Sequence, residues 1–396
     1  MALRRPPIEV AAAPGRPLGM TPARFLRDYW QKRPLLVRGA LPQFANATTP
    51  EDLAGLACEA AALSRIVQHD AARDRWSVRS GPFSERDFRR LPRAHWTLLV
   101  QDVDKWDLDV AALLDHFTFV PSWRVDDVMV SYAVEGGGVG PHVDQYDVFL
   151  LQGRGRRRWR ISDDADASRE FRDDAEIKIL REFTPTHDWE LAPGDMLYLP
   201  PGVPHEGTAL SPCLTYSVGM RAPSQAELLF DFAEFLADGL REEQRYADPD
   251  LRAARAPGEI DAAALERVRA ALPAFRRIDS ARLRHWFGAF ITRYRAAHDA
   301  APPPRTLSAD QLASRLARGR ALRNPWSRFA WARDGRRAEL FVAGERHACT
   351  PALAQALNAA REFDGAELLR LAPGAAERSL LATLVNAGHL HLLRTR

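Results

Sequence analysis

Two ligand-type side chains stand two residues apart in the stretch G-G-G-V-G-P-H-V-D, residues 136–144. On an extended strand, residues i and i+2 point to the same face. His142 and Asp144 would then converge beside a glycine-rich loop and could hold a metal. Neutral imidazole and carboxylate are stable ligands for Fe(II), and two His with one carboxylate leave positions open for a bidentate co-substrate and then O2. A surface His and Asp at a strand end would give the same triplet, so the chemistry needs a second His from a later strand. Among the 11 histidines, His205 has the best setting: the run P-G-D-M-L-Y-L-P-P-G-V-P-H, residues 193–205, reads as a strand followed by a turn stiffened by Pro and Gly. His187 is the nearest competitor, but Asp188 and a polar neighbourhood suggest exposure. His69, His95, His116 and the C-terminal histidines read as solvated or packed.

A second group lies fifteen residues after His142. In the run R-R-R-W-R-I, residues 156–161, Arg157 shares strand parity with Trp159 and Ile161, while Arg156, Arg158 and Arg160 share the other face. If the apolar pair faces inward, so does Arg157. A buried guanidinium is costly unless it meets an anion. Either an internal Asp or Glu supplies it, or a bound carboxylate does.

These residues need a scaffold of short strands. Strand-like segments occur at 128–134, in two pieces of the stretch 136–161, and at 176–180, 195–199 and 213–220, separated by Gly/Pro turns. Helices precede and follow this block instead of alternating with it, which argues for a sandwich or barrel over a parallel sheet. Upstream, Thr21 caps a helix beginning at Pro22, residues 34–38 form a buried strand, and Thr49 opens a helix running to about Leu63. Residues 76–78 and 95–100 are strand-like, and 109–117 helical. Downstream, Leu228, Leu229, Phe232, Phe235, Leu236 and Leu240 recur at helical spacing, and helices are expected over 262–272 and 280–297. Such helices either cover the barrel or bury themselves against a partner chain. Ala301–Pro304 reads as a linker. Beyond it come a helix at 307–316, paired strands at 327–331 and 337–342, helices at 350–362, 365–371 and 376–387, and a terminal strand at 390–393. That pattern suggests a winged-helix-like unit.

Composition excludes more than it specifies. Of the 396 residues, 46% are hydrophobic and 27% charged, and the net charge of +3 announces neither nucleic acid nor membrane. No apolar run approaches the ~20 residues of a membrane span. The N-terminus lacks the apolar core of a secretion signal. Cys58, Cys213 and Cys349 are odd in number and far apart, which fits a reducing, cytoplasmic setting without a thiolate metal site. From Ala301 onward 15 Arg face 8 Asp plus Glu, a local basic bias compatible with nucleic acid or an RNA-rich partner, although the arginines are dispersed.

The G-P-H-V-D element, the arginine fifteen residues after its His, and G-D-x-L-Y-x-P-P-x-x-x-H together resemble the cupin, JmjC-type 2-oxoglutarate oxygenases. The runs from Gly138 to Phe149 and from Gln152 to Trp159, and the early F-L-R-D-Y-W-Q-K-R-P-L-L element starting at Phe25, resemble more specifically the bacterial ribosomal oxygenases. The resemblance implies a double-stranded β-helix in an α+β chain of three parts: a catalytic domain over 18–222, a helical dimerisation region over 223–300 and a winged-helix-like domain over 301–396. It implies Fe(II) on His142, Asp144 and His205, and Arg157 gripping the distal carboxylate of 2-oxoglutarate. Ser131, Thr215 and Ser217 are candidates for a supporting hydroxyl. The implied reaction consumes O2 and 2-oxoglutarate, releases succinate and CO2, and hydroxylates an arginine of the sixteenth large-subunit ribosomal protein. For such a cationic target, Asp126, Asp127 and Asp147 are expected to line the groove. Two other readings compete: a JmjC-like demethylase of a methylated basic residue, and a non-enzymatic cupin sensor carrying a DNA-binding winged helix.

Overall fold

The computed structural model describes residues 6–44, 48–241, 245, 249, 262–271, 279–293 and 298–393. The chain divides into two compact units, Met1–Ala222 and Pro223–Arg396.

The first unit carries strands β1 Glu9–Ala11, β2 Leu35–Arg38, β3 Ser64–Asp70, β4 Arg75–Ser80, β5 Trp96–Val100, β6 Val125–Ala133, β7 Val148–Arg154, β8 Arg157–Ile161, β9 His187–Leu191, β10 Met196–Leu199, β11 His205–Ala209 and β12 Cys213–Met220. Its helices are α1 Pro22–Asp28, α2 Pro50–Leu56, α3 Glu85–Arg89, α4 Val103–Trp106 and α5 Leu108–Ala112. Nine strands form one sheet in the order β1-β2-β10-β7-β12-β6-β5-β3-β4, and β11-β8-β9 form a second. Every pairing is antiparallel except β1 with β2.

The sequence of β7, Val-Phe-Leu-Leu-Gln-Gly, is nearly unbroken in apolar character because both of its faces are buried. Phe149 and Leu151 join the cluster under the helices, where Phe25 of α1 meets Phe149 and Tyr198 with ring centroids 5.7 and 4.9 Å away. Val148 and Leu150 point the other way and pack with Trp159, Ile161 and Leu191 of the small sheet. The two sheets therefore face each other across a shared interior, a jelly roll whose inner surface includes Ser131, Thr215 and Arg157. Thr21 caps α1 by accepting the Arg24 N–H, and Thr49 with Asp52 closes a capping box on α2.

Several expected elements differ. The helix opened by Thr49 ends at Leu56, not Leu63, and β3 follows at Ser64. The Ala-rich run 57–62 has helical propensity, but Ala57, Ala62 and Ser64 are buried as the chain turns into the sheet. Residues 109–117 are helical as expected, but the second half is a tighter 3₁₀ turn, Leu113–Phe117. Residues 176–180 make only an isolated bridge, Phe171 with Leu180, and the expected strand is absent there. His187, expected to be exposed, begins β9 and is half-buried.

The second unit opens with α6 Gln225–Ala237, α7 Ala262–Ala271 and α8 Ser280–Arg293. The Trp286 indole of α8 donates to Asp231 at 2.8 Å and its ring lies 4.7 Å from Phe232. Then come α9 Ala309–Leu316, β13 Arg320–Arg323, β14 Phe329–Asp334, β15 Arg337–Val342, β16 Glu345–Cys349, α10 Pro351–Ala359, β17 Glu362–Asp364, α11 Gly365–Leu371, α12 Ala375–Asn386 and β18 Leu390–Leu393. The strands form two three-stranded sheets, β14-β15-β16 and β17-β13-β18. The expected hairpin thus has a third strand, β16, and β13 and β17 were not anticipated. The C-terminal ends expected for two helices, 272 and 294–297, lie outside the described residues, as do residues 1–5.

Candidate active site

His142 and Asp144 sit just before β7 in irregular chain, not on the strand the sequence suggested. His142 instead makes one isolated bridge with His205, each backbone N–H donating to the other's carbonyl at 2.9 Å. Glycines bring the chain there. A Cβ on Gly137 would lie 2.1 Å from the Trp96 carbonyl oxygen, and one on Gly138 would lie 2.5 Å from that of Gly207. Only glycine permits so close an approach. On the other side, the turn before β11 places Gly202 at φ +80°, with its N–H donating to the Asp144 carbonyl at 2.8 Å.

The ligand atoms of His142, Asp144 and His205 all lie within 4.8 Å of one another. Asp144 Oδ2 is 3.9 Å from His142 Nε2 and 3.7 Å from His205 Nε2. Each imidazole presents its Nδ1 to a carbonyl, His142 to Gly140 and His205 to Val203, both at 2.9 Å. A carbonyl only accepts, so Nδ1 carries a hydrogen, and Nε2 is the ring nitrogen turned toward Asp144. Burial, with His142 close by, pushes His205 down to about 4, so its ring is neutral near pH 7. Two imidazoles and one carboxylate on a single face are the donor set that suits a divalent iron with open positions.

On β8 the burial alternates: Arg157, Trp159 and Ile161 are buried, Arg156 and Arg158 exposed, and Arg160 half-buried. Arg157 is 4% exposed. Its Nη1 donates to Ser131 Oγ and Thr215 Oγ1, both at 3.3 Å, and its Nη2 to the Gly207 carbonyl at 3.1 Å. Nε has no partner. The guanidinium lies 5.0 Å from the Trp159 ring centre, and Trp159 lies 6.0 Å from His205, ring to ring. Among the described residues no carboxylate contacts Arg157, and burial lowers its pKa, opposed only by the nearby Cys213 thiol and by no carboxylate. A buried cation with only neutral acceptors is short of one anion. That disposes of the internal Asp or Glu that the sequence left open.

The remaining expected residues scatter. Ser217 is buried but is not among the hydrogen-bond partners of Arg157. His187 pairs with Asp163 at 3.3 Å and stacks on Trp189, away from the triad. Asp147 is a correction: it is fully buried and accepts from Tyr198 at 2.6 Å, Gln31 at 2.9 Å and Arg124 at 3.2 Å, so it braces the fold and lines no groove. Asp126 pairs with Arg221 at 3.2 Å. Asp127 accepts the Asp102 N–H at 3.0 Å, and burial pushes its carboxyl up to about 7. Sequence reasoning missed Gln152, which is fully buried and accepts from Thr215 at 3.1 Å. The signal was present as one amide within the apolar run of β7.

A JmjC domain matches residues 112–228, and a ROXA-like winged helix matches residues 276–391. The fold and this donor set define the class, the JmjC-type oxygenases that use Fe(II), 2-oxoglutarate and O2. Over 298 residues the chain is 39% identical to the ribosomal protein uL16 3-hydroxylase of Escherichia coli K12, covering 75% of this chain and 78% of that one. It is 41% identical over 236 residues to a probable ribosomal oxygenase of Haemophilus influenzae, covering 59% and 56%. Two solved structures of the E. coli ribosomal oxygenase YcfD superpose over 95% of this chain and 99% of theirs, at 35% identity. The one with cobalt and succinic acid has a TM-score of 0.80, and the one with cobalt and 2-oxoglutarate 0.78. The chain belongs to the ribosomal oxygenases, and it is a 2-oxoglutarate-dependent dioxygenase with a C-terminal winged helix. The reading as a non-enzymatic sensor is thereby set aside.

Proposed function

We propose that this enzyme hydroxylates an arginine side chain of the sixteenth protein of the large ribosomal subunit. In this reading His142, Asp144 and His205 hold Fe(II), and Arg157 anchors the distal carboxylate of 2-oxoglutarate. The observation that carries it is Arg157 itself: an enclosed guanidinium with three neutral acceptors and, among the described residues, an orphaned Nε and no carboxylate in contact. A dicarboxylate fits such a cradle, because one end neutralises the guanidinium while the other chelates a metal. The relative named for uL16 3-hydroxylation supports the substrate.

Bound iron would supply the activation of O2 needed to attack an unactivated C–H bond, with oxidative decarboxylation of 2-oxoglutarate to succinate and CO2. The chain contributes positioning. Gly140 and Val203 hold both imidazoles with Nε2 outward, and the reciprocal bridge between His142 and His205 fixes their spacing. Neutral His205 needs no deprotonation before ligation near pH 7. Asp126 and Asp127 remain the proposed acidic neighbours of a cationic substrate side chain.

We further assign 18–222 as the catalytic domain, 223–300 as a helical region that pairs with a second copy, and 301–396 as a winged-helix-like domain, the last two lying within one compact unit. Leu229 and Phe230 of α6, 58% and 75% exposed, and Leu283 of α8, 44% exposed, support pairing through the helices. No described helix is long and apolar enough to cross a membrane, and a cytoplasmic location fits a ribosomal target.

The test is mass spectrometry of ribosomal proteins from cells with and without the enzyme, joined to 2-oxoglutarate turnover by the purified protein. A gain of about 16 mass units (one oxygen) on one arginine of that ribosomal protein is expected. A loss of methyl groups, or no change on any ribosomal protein, would overturn the assignment.

A further inference from the structure

We propose that Gln152 is a positioning residue for the co-substrate: it commits the Thr215 hydrogen away from Arg157 and so aims the arginine's donors. The proposal rests on the reading of Arg157 as the carboxylate anchor. Gln152, Thr215 and Ser131 lie side by side across β7, β12 and β6, with Thr215 directly opposite Gln152 on one side and Ser131 on the other. All three are buried.

The direction of each hydrogen bond follows from chemistry. Gln152 Nε2 faces the Arg154 carbonyl at 2.8 Å and the Gly155 carbonyl at 3.4 Å. Carbonyl oxygens only accept, so the amide cannot be flipped without opposing oxygen to oxygen, and Oε1 must face Thr215. An amide oxygen also only accepts, so the Thr215 O–H donates to it at 3.1 Å. The hydroxyl has one hydrogen, now spent. Toward Arg157, Thr215 therefore presents lone pairs and receives Nη1–H at 3.3 Å. Ser131 receives the other Nη1–H at 3.3 Å. No acceptor for Ser131's own hydrogen is found among the described residues, so it remains for a ligand. Gln152 thus makes two otherwise similar hydroxyls unequal: Thr215 orients the guanidinium, and Ser131 is free to donate beside it. Without Gln152, the Thr215 hydroxyl loses the acceptor that fixes its rotation, and its lone pairs are no longer held toward Nη1.

The experiment measures KM for 2-oxoglutarate and kcat in the full-length enzyme carrying Gln152→Met, Thr215→Val, Thr215→Ser, the Gln152→Met/Thr215→Val pair, and Arg157→Met. Loss of one hydrogen bond in the relay predicts a KM rise of about 10-fold for Gln152→Met and for Thr215→Val, with kcat within about twofold. Thr215→Ser keeps the hydroxyl and should stay near the wild type. In the Thr215→Val background, adding Gln152→Met should change KM less than about twofold, because the relay is already broken. A merely structural role for Gln152 would instead give additive effects, and that result overturns the proposal. Should Gln152→Met not fold, the near-isosteric Thr215→Val still decides: an unchanged KM there overturns it. If Arg157→Met leaves KM unchanged, the anchor reading itself has failed. If Arg157→Met raises KM while the Gln152 and Thr215 variants do not, only this inference falls.

Discussion

Replacing Arg157 by methionine separates two roles that a buried charge can have. A structural charge is matched by a protein counter-charge, and removing one member of such a pair costs about 3–5 kcal/mol of stability. Among the described residues Arg157 has no such counter-charge; it donates there to Ser131, Thr215 and the Gly207 carbonyl. Methionine would relieve the desolvation of a buried cation; even for buried ion pairs, replacement by apolar residues is neutral or favours the fold by about 1–4 kcal/mol. It would also leave the Gly207 carbonyl with one acceptor site unmet, at about 1–3 kcal/mol. The two nearly cancel, so the ligand-free variant should melt within a few degrees of the wild type. Binding should respond otherwise. Truncating one partner of a buried, hydrogen-bonded charge pair costs about 2–5 kcal/mol, which is roughly 30-fold to several thousand-fold in KM for 2-oxoglutarate. Thermal denaturation with and without co-substrate reads both effects. At about 100 times Kd, 2-oxoglutarate should add about 2.7 kcal/mol to the wild type and almost nothing to the variant at the same concentration. A variant that melts far below the wild type, yet retains its KM, would refute the reasoning.

Other substitutions test the remaining parts. His142→Ala, Asp144→Ala and His205→Ala should each abolish Fe(II)-dependent conversion of 2-oxoglutarate to succinate, and retained turnover in any one would remove that residue from the triad. Gly137→Ala places a methyl 2.1 Å from the Trp96 carbonyl oxygen and should destabilise by several kcal/mol in urea titration. Asp127 binds its proton more tightly when folded, because burial raises its pKa from 3.8 to about 7. Its ionisation therefore opposes folding, and stability should fall as pH rises from about 4 through 7. Asp127→Asn, which still accepts the Asp102 N–H, should flatten that part of the urea-midpoint profile; an unchanged slope would count against the raised pKa. Phe230→Asp should shift a dimer toward monomer by sedimentation if α6 pairs with a second copy.

What the sequence disclosed depended on whether local rules survived their tertiary setting. Strand parity isolated Arg157 from three neighbouring arginines because β8 is regular, with one face on the interior and the other toward solvent. The same rule misplaced His142 and Asp144 on a strand. Their convergence comes from a single bridge to His205 and from glycines that pass close to other backbones, and neither leaves a periodic trace. His205 was legible because Pro and Gly mark its turn. β3 was not, since the preceding alanines favour helix and the chain leaves the helix only when packing takes over at Ala57. Asp147 looked like a groove acid because its partners Tyr198, Gln31 and Arg124 come from distant segments. Gln152 carried the plainest unused signal: an amide inside a strand buried on both faces needs partners for both its ends.

The hydrogen bonds around the triad bear on how metal and fold are coupled. In many small metal sites the ligands are brought together only by the ion, so that metal binding is folding. Here His142 and His205 are joined through their backbones, and Gly202 ties down the Asp144 carbonyl, none of which involves a ligating atom. The Nδ1 bonds to Gly140 and Val203 set the ring orientations in the same way. Side-chain truncation at the triad therefore leaves the backbone bridge in place. Loss of iron binding in those variants should come with an intact fold, and chelation should lower the melting temperature of the wild type only by the linkage term for the bound ion. Arg157 is held on β8, which pairs through its whole length with β11, the strand that begins at His205. The proposed carboxylate anchor and one of the proposed metal ligands thus share a ladder. Their separation is fixed by strand register before any co-substrate arrives, so in the proposed reading the sheet itself would select for the length of a dicarboxylate.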